Sequence, residues 1–562
     1  MSTNTDSTHL HIGNETQMLM DDILIEEIRG MTRKWHKLER HGNEPLITHD
    51  RAWEEAPYFR TGNTVVLRDP KDGLFKCWYE DLGPVRRNVW GRGNYTHRTR
   101  MLYAESTDGI HFRKPELDIC LFDGKPTNIL MGYMDGKRLV GREDPMSEFG
   151  VHSHAVVIDP APPSPDERFR AMFTKWRHDP DCRVMACAHS SDGLRWKYYN
   201  QSPMLGSSGN FLGDVVSLHY DDLGRMFVAN TRHGRMAVIG AEAMNPFQNT
   251  SYVPAYYPHR SHLMNKRRIY QGRSADLLNW TELLPVVVPD DDFDNIDESY
   301  YGMQQFMVGR IHFANLCVFR ECANEVEVRL LHSRDGIHFK TADRGAPFLA
   351  PRGPGHWDAY MAENAQPPIE INGEWWFYYC GSKMHHDWWC LGSFDHPEAQ
   401  DPGAHFGTGL GLTRLRKEGF ASLVASPVRD GYFITKPLNV STKDLEGDWE
   451  GKQGADKDAD DIAMRHLLIN AKCGSSGMIR VGLLNPDNSS VAGYSLEDCI
   501  PFTGDSTDHP VAWKGLETMD AKKLSGKWCK VVFWLRNAEI FSFRFSSKEC
   551  KGIRFIQQID LQ

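Results

Sequence analysis

Ser106-Thr107-Asp108-Gly109-Ile110-His111-Phe112 returns three times along the chain. The copies are Ser190-Ser191-Asp192-Gly193-Leu194-Arg195-Trp196, Ser274-Ala275-Asp276-Leu277-Leu278-Asn279-Trp280 and Ser333-Arg334-Asp335-Gly336-Ile337-His338-Phe339. Each sets a hydroxylic residue two positions before an aspartate and an aromatic four positions after it. A strand-like run precedes every copy: 101–104, 184–187, 268–270 and 328–331. Asp-Gly after such a run is a hairpin signal, because both residues tolerate the positive φ of a tight turn. The closing aromatics follow one another at 84, 84 and 59 residues. One hairpin recurring at that interval marks a repeat architecture.

Working outward from each turn gives a common unit. A largely apolar first strand covers 63–67, 154–158, 215–219, 304–308 and 368–371. After a turn the second strand covers 74–79, 169–175, 225–230, 311–319 and 374–379. The third strand runs into the Ser-x-Asp turn, and the fourth leaves from its aromatic. In the fifth unit Arg414-Leu415-Arg416-Lys417-Glu418-Gly419-Phe420 stands in for the turn. Such units without convincing helices predict an all-β chain with a five-bladed β-propeller over 51–436, an arrangement that protects strand edges. The Ser-x-Asp grammar stops there. Strand-like runs at 463–471, 476–484, 527–535 and 539–545 predict a separate C-terminal β-sandwich over 437–562. Residues 1–50 read as an N-terminal extension, disordered over about the first 16.

Composition removes several function classes. In 562 residues, 40% hydrophobic and 25% charged content fits a globular protein. A net charge of −10 without basic clustering argues against a nucleic-acid partner. No run reaches the ~20 apolar residues of a membrane helix, so no membrane partner is expected. Twelve cysteines without a CxxC pair, and a polar 1–17 without a signal-like apolar run, point to the cytoplasm. The oligomeric state is left open.

The repeat and the trailing β-domain resemble the glycoside hydrolases built on a five-bladed propeller with a C-terminal β-sandwich, the invertase/inulinase and arabinanase/xylosidase types. Arg142-Glu143-Asp144-Pro145 matches their Arg-x-Asp-Pro pattern, and Arg320-Glu321-Cys322 is similar to the Glu-Cys motif of invertases. Where invertases open blade one with Asn-Asp-Pro-Asn-Gly, this chain has Trp53-Glu54-Glu55-Ala56-Pro57. The resemblance implies a glycoside hydrolase acting on a poly- or oligosaccharide.

In a propeller, the starts of the innermost strands and the ends of the second strands share one face, and the chemistry is expected there. Glycoside cleavage uses two carboxyl groups flanking the bond. A carboxylate at the mouth of an apolar strand is costly unless it is paired or functional. That filter selects Asp214, Glu298, Asp358 and Glu363 as catalytic candidates. Trp53, Arg142, His152, His154, Arg177, Arg232, His233, Tyr300, Trp357, His385 and His386 are the candidate substrate contacts. His152 and His154, two apart on a strand, would share a face. The basic members suggest an anionic sugar. No cofactor is required; metal ligands stay undefined, although a structural divalent cation could occupy the channel. A polysaccharide lyase working through His152, Tyr300, Tyr301 and Arg232 is the alternative, and a non-catalytic carbohydrate-binding propeller is the third reading. The patterned Asp108, Asp192, Asp276 and Asp335 are assigned to architecture.

Overall fold

The computed structural model describes residues 10–55, 57–82, 98–142, 149–177, 182–200, 204–205, 215–233, 267–290, 293–295, 297–365, 367–386, 407–439, 466–516 and 528–546. The chain is all-β and divides into two compact units, 37–415 and the pair 1–36 with 416–562.

The unit 37–415 is a succession of antiparallel meanders. The first runs Val65–Arg68, Phe75–Asp81, Arg100–Ser106 and Ile129–Gly132. The second runs Gly150–Ile158, Phe169–Arg177, Cys182–Ser190 and Lys197–Tyr198. The third runs Val216–Asp221, Met226–His233 and Arg268–Ser274, edged by Asn279–Trp280 and Leu284–Val287. The fourth runs Glu298–Val308, Ile311–Arg320 and Glu325–Ser333, edged by Lys340–Thr341 and Pro347–Leu349. The next runs Met361–Asn364, Glu374–Ser382 and Thr408–Arg416, and its outer strand is Glu39–Arg40.

The repeated turn is held by its own side chains. Ser106 Oγ accepts from the Gly109 N–H at 2.9 Å, while Asp108 Oδ1 accepts from Ile110 and His111 N–H, both at 2.8 Å. The same bonds recur at Ser190/Asp192, Ser274/Asp276 and Ser333/Asp335. Side-chain bonds to the backbone two or three residues on are what Ser and Asp offer a turn. The residue after each Asp has φ of +76°, +80°, +69° and +70°, and at Leu277 a non-glycine adopts it.

Each turn also grips the meander before it. Tyr378 Oη donates to the Gly109 carbonyl at 2.7 Å, Trp78 Nε1 to Gly193 at 2.8 Å, Arg170 Nη1 to Asp276 at 3.1 Å and Gln271 Nε2 to Gly336 at 3.0 Å. The first of these links the opening meander to the last. Apolar layers follow the same order. Phe75, Cys77 and Tyr79 share a buried cluster with Trp376, Tyr378 and Cys380, whereas Trp78, Met101 and Tyr103 share one with Phe169, Ala171 and Phe173. Met172 and Cys187 pack with Leu218 and Phe227, and Ile269 with Leu316 and Val318. Each meander therefore buries apolar side chains against its neighbours, the main source of favourable free energy for such layers.

The unit boundaries differ from the sequence expectation of 51 and 436. A strand does follow Phe420, as one follows Trp196 and Phe339, but Ala421–Ala425 pairs with Met31–Trp35 and with Trp528–Ser546 in the other unit. Arg416 is bound in the same unit: Nε bonds Asn470 Oδ1 at 2.6 Å and Nη2 bonds the Ser506 carbonyl at 2.7 Å. Nor is the N-terminus a mere extension. Leu10–His11, Gln17–Met18, Ile25–Arg29 and Met31–Trp35 all pair with strands of 416–562. In that unit the long strands His466–Leu484 and Trp528–Ser546 run antiparallel around a core that includes Leu423, Ile469, Val481 and Phe533. Among the described residues no helix is long and apolar enough to cross a membrane.

Candidate functional site

Two fully buried carboxylates organise the ends of the meanders. Glu80 closes the second strand of the first meander. Its Oε1 lies 2.7 Å from His152 Nδ1, and Oε2 accepts from the Ser153 N–H at 3.1 Å and from Asn63 Nδ2. Glu363 lies in Met361–Asn364. Its Oε1 accepts from Arg60 Nε at 2.7 Å and Oε2 from the Thr61 N–H at 2.8 Å. Buried charges persist only when paired and hydrogen-bonded, and both carboxylates meet that condition. Burial works against the Arg60 charge, but Glu363 outweighs it and holds the guanidinium more firmly protonated than usual.

Around this pair stand groups from the remaining meanders. Arg60 reaches the Tyr58 hydroxyl at 3.3 Å and sits 5.2 Å from the centre of the Tyr301 ring. Arg232 lies over the same ring at 3.8 Å and Arg267 at 5.3 Å, while the His386 ring meets it edge-on at 4.7 Å. A cation over an aromatic face gains ~0.5–2 kcal/mol, so Tyr301 ties three guanidinium groups to one place. Gln304 Nε2 donates to Thr61 Oγ1.

Two β-bulges create this arrangement. The register steps from His152↔Thr174 to Ala155↔Met172 and from Tyr300↔Val318 to Gly302↔Cys317, leaving one extra residue in each first strand. A bulge re-aims side chains and breaks the two-residue alternation. His152 and His154 consequently do not share a role on one face. His152 keeps 12% side-chain exposure and pairs with Glu80, whereas His154 is wholly buried, and burial pushes its imidazole down to about 4.

The other sequence candidates are distributed as follows. Glu363, His152, Arg232 and His386 lie in the cluster, and His154 sits one bulge away from His152. His385 stacks on Tyr360 at 3.8 Å. Glu298 is placed elsewhere, in a group where Arg329 bonds Glu298 at 2.6 Å, Asp294 at 3.0 Å and Glu327 at 3.1 Å. Burial opposes its charge, but hydrogen bonds from Arg329 and Asn295 outweigh this and keep the carboxyl below its ordinary range, which disfavours a proton donor. Tyr300 turns to the same group, donating to Asp294 at 2.6 Å, while the residue after it in the bulge, Tyr301, meets Arg60, Arg232 and Arg267. Asp358 is clamped by Arg40 Nε at 2.8 Å, Arg352 Nε at 2.5 Å and the Tyr379 hydroxyl at 3.0 Å, and Trp357 stacks on Tyr379. These are fastenings of the last meander to the strand Glu39–Arg40. Trp53 donates to Asn128 Oδ1 at 2.7 Å, and Arg142 pairs with Asp118 at an exposed position. Arg177 and His233 are strand residues paired with Cys182 and Arg268, their side chains outside the described residues. Asp214 lies outside the described residues. Sequence reasoning missed Arg60, Tyr58 and Arg267 and did not single out Asn63; it placed Glu80 in Trp78-Tyr79-Glu80-Asp81, at a second-strand end on the expected functional face, without choosing it as a site residue. Among the described residues no group of three or more His, Cys, Asp or Glu side chains is arranged to hold a metal ion.

No protein-family model matches the chain, and no curated protein matches it. Solved structures do. An N-acetylgalactosamine deacetylase from F. plautii, in complex with blood group B trisaccharide, is similar over 68% of this chain and 96% of its own, at 12% identity and a TM-score of 0.41. A glycosyl hydrolase from Bacteroides ovatus is similar over 68% and 94%, at 13% identity and a TM-score of 0.41. A member of a mannoside phosphorylase family described as containing glycoside hydrolases that target β-1,2 mannosidic linkages in Candida mannan is similar over 68% and 94%, at 14% identity and a TM-score of 0.40.

Proposed function

We propose that the chain is a carbohydrate-active enzyme that cleaves glycosidic bonds of a poly- or oligosaccharide carrying an acidic group, on a five-bladed β-propeller accompanied by a β-sandwich. The architecture is supported by the four-point succession of turn contacts that begins with Gly109 on Tyr378. The observation that carries the function is the Glu80–His152 pair within a cluster to which every meander contributes.

Neither Glu80 nor Glu363 is exposed, and all their oxygens accept hydrogen bonds. They act through their partners: Glu80 orients His152, and Glu363 holds Arg60. In hydrolysis the protonated His152 gives its proton to the glycosidic oxygen as the bond from that oxygen to the anomeric carbon breaks, and the neutral ring then takes a proton from the water whose oxygen bonds to that carbon, the usual work of an imidazole near neutral pH. Tyr301 holds Arg232 and Arg267 beside it, and these supply donors to hydroxyl, carboxylate or sulfate groups.

Elimination is the second reading, favoured by the residue set around Tyr301. Neutral His152 would remove the proton α to a uronate carboxyl group while Arg232 neutralises that group. The electron pair forms the new C=C bond, the C–O bond to the leaving sugar breaks, and a Tyr58 or Tyr301 hydroxyl protonates the departing oxygen.

Incubation with neutral, uronate-containing and sulfated glycans decides between them. New reducing ends without ultraviolet absorbance support hydrolysis, and ends accompanied by the unsaturated chromophore support elimination. Retention on a glycan column with no product leaves a binding protein and overturns the enzymatic proposal.

A further inference from the structure

We infer that Ser153 is a positioning residue whose left-handed backbone fixes the tautomer of His152 through Glu80. The inference rests on the reading that His152 transfers the proton. Ser153 is a non-glycine residue at φ +56°, without solvent exposure, and it sits in the bulge between His152 and Ala155. L-residues take this conformation at a cost of roughly 1–2 kcal/mol, and such strain persists where the surroundings over-determine it. Here the surroundings can be named. The Ser153 N–H, like that of Val151, which donates to the Thr99 carbonyl at 3.1 Å, turns away from the ladder with 169–177 and points at Glu80 Oε2, 3.1 Å away. Asn63 Nδ2 donates to the same oxygen, so Oε2 is held from two sides and Oε1 is left to His152 Nδ1 at 2.7 Å. A carboxylate accepts but cannot donate, so the neutral ring must carry its hydrogen on Nδ1. Nε2 is then the lone-pair nitrogen, the one that can take a proton from water or from carbon. The neighbouring His154, pushed down to about 4 by burial, stays neutral and does not compete for the carboxylate's charge near neutral pH.

Glycine adopts positive φ freely, and a β-branched residue resists it. Ser153→Gly therefore preserves the device, and Ser153→Val dismantles it.

The test uses full-length protein labelled with 15N-histidine. His152 is assigned by the signal missing in His152→Gln, and its two ring-nitrogen shifts are read above its titration midpoint. Wild type and Ser153→Gly should show the Nδ1–H form, while Ser153→Val should show a tautomer ratio lowered roughly tenfold, as expected from weakening a charge-assisted hydrogen bond. If Ser153→Val does not fold, Ser153→Ala is read the same way, with a change in the same direction. An unchanged ratio in a folded Val or Ala variant, or loss of the Nδ1–H form in Ser153→Gly, overturns the inference. The glycan panel is independent of this readout. A wild type that cleaves nothing yet shows the expected tautomers refutes the proposed function alone; cleavage with unchanged tautomers in the variants refutes the positioning role alone.

Discussion

Asp358→Ala tests whether a carboxylate at the mouth of a meander serves closure or chemistry. Asp358 is completely buried, and its two oxygens take hydrogen bonds from Arg40, Arg352 and Tyr379. Removing one partner from a buried ion pair costs about 3–5 kcal/mol, because the remaining charge is left uncompensated. The arginine side chains keep 20% and 14% exposure and can turn partly to water, so about 3 kcal/mol is the better figure. At 1.4 kcal/mol per decade that is roughly a 150-fold loss in the equilibrium constant for keeping Glu39–Arg40 docked. Hydrogen exchange locates the loss, since Arg40 and Glu39 pair with Thr413 and Arg414. The Arg414 amide, which faces Glu39, should exchange correspondingly faster, the urea midpoint of the 37–415 unit should fall, and turnover at low temperature should survive. Asp358→Asn, which still accepts one bond, should lie in between. Turnover lost in Asp358→Asn with exchange and midpoint unmoved would refute this reasoning and return Asp358 to the chemistry.

Glu363→Gln leaves the Arg60 charge without its partner, and activity should fall by about 100-fold or more, in kcat/KM, alongside a stability loss of ~3 kcal/mol; a stable, fully active variant would remove Glu363 from the site. Gly109→Ala and Gly73→Ala both place a Cβ at positive φ, +76° and +77°, but only at Gly109 would it meet Tyr378 Oη at 2.6 Å and Phe75 at 2.9 Å. In denaturant titrations Gly109→Ala should therefore be the less stable by ~1–3 kcal/mol, and equal midpoints would count against the turn as a fastening. Burial pushes His154 down to about 4 and His219 to about 3, below the unfolded value near 6.5. The unfolded chain then binds more protons on acidification, so stability present above pH ~6.5 should decline toward pH 4, by ~3 kcal/mol for each histidine. Urea midpoints measured from pH 7 to pH 4 check this, and His219→Gln should flatten the decline.

What could be read from sequence was what is held locally. The Ser-x-Asp turn is closed by bonds spanning two or three residues, so its residue types announce it wherever it occurs, and from it the meanders could be counted off. The strand Glu39–Arg40 announces nothing, because two residues carry no period and its pairing with Thr413 and Arg414 spans the whole unit. Phe420 had the right aromatic in the right place, yet pairing outside the unit decided its strand. The carboxylate filter met the same limit. It selected Glu363, Glu298 and Asp358 alike, because each lies at the mouth of a strand and is buried. Partners alone distinguish them, and Arg60, Arg329 and Arg40 are 303, 31 and 318 residues away from the carboxylates they bind.

The harder loss was parity. Two-residue alternation predicted His152 and His154 on one face and offered Tyr300 to the substrate. A single extra residue in each strand inverts those assignments, setting Tyr301 among three arginines while Tyr300 meets Asp294, and separating His152 from His154. Neither bulge carries a glycine at the inserted position, and the +56° φ of Ser153 shows that one of them is maintained against local preference. An irregularity held at a cost implies something gained from the exact orientation of the neighbouring side chains. In both strands those neighbours are the groups able to transfer a proton or bind a charged ring: His152 on Glu80, and Tyr301 among Arg60, Arg232 and Arg267. The repeat thus supplies a frame in which the regular positions are structural, and the two departures from regularity mark where chemistry is expected.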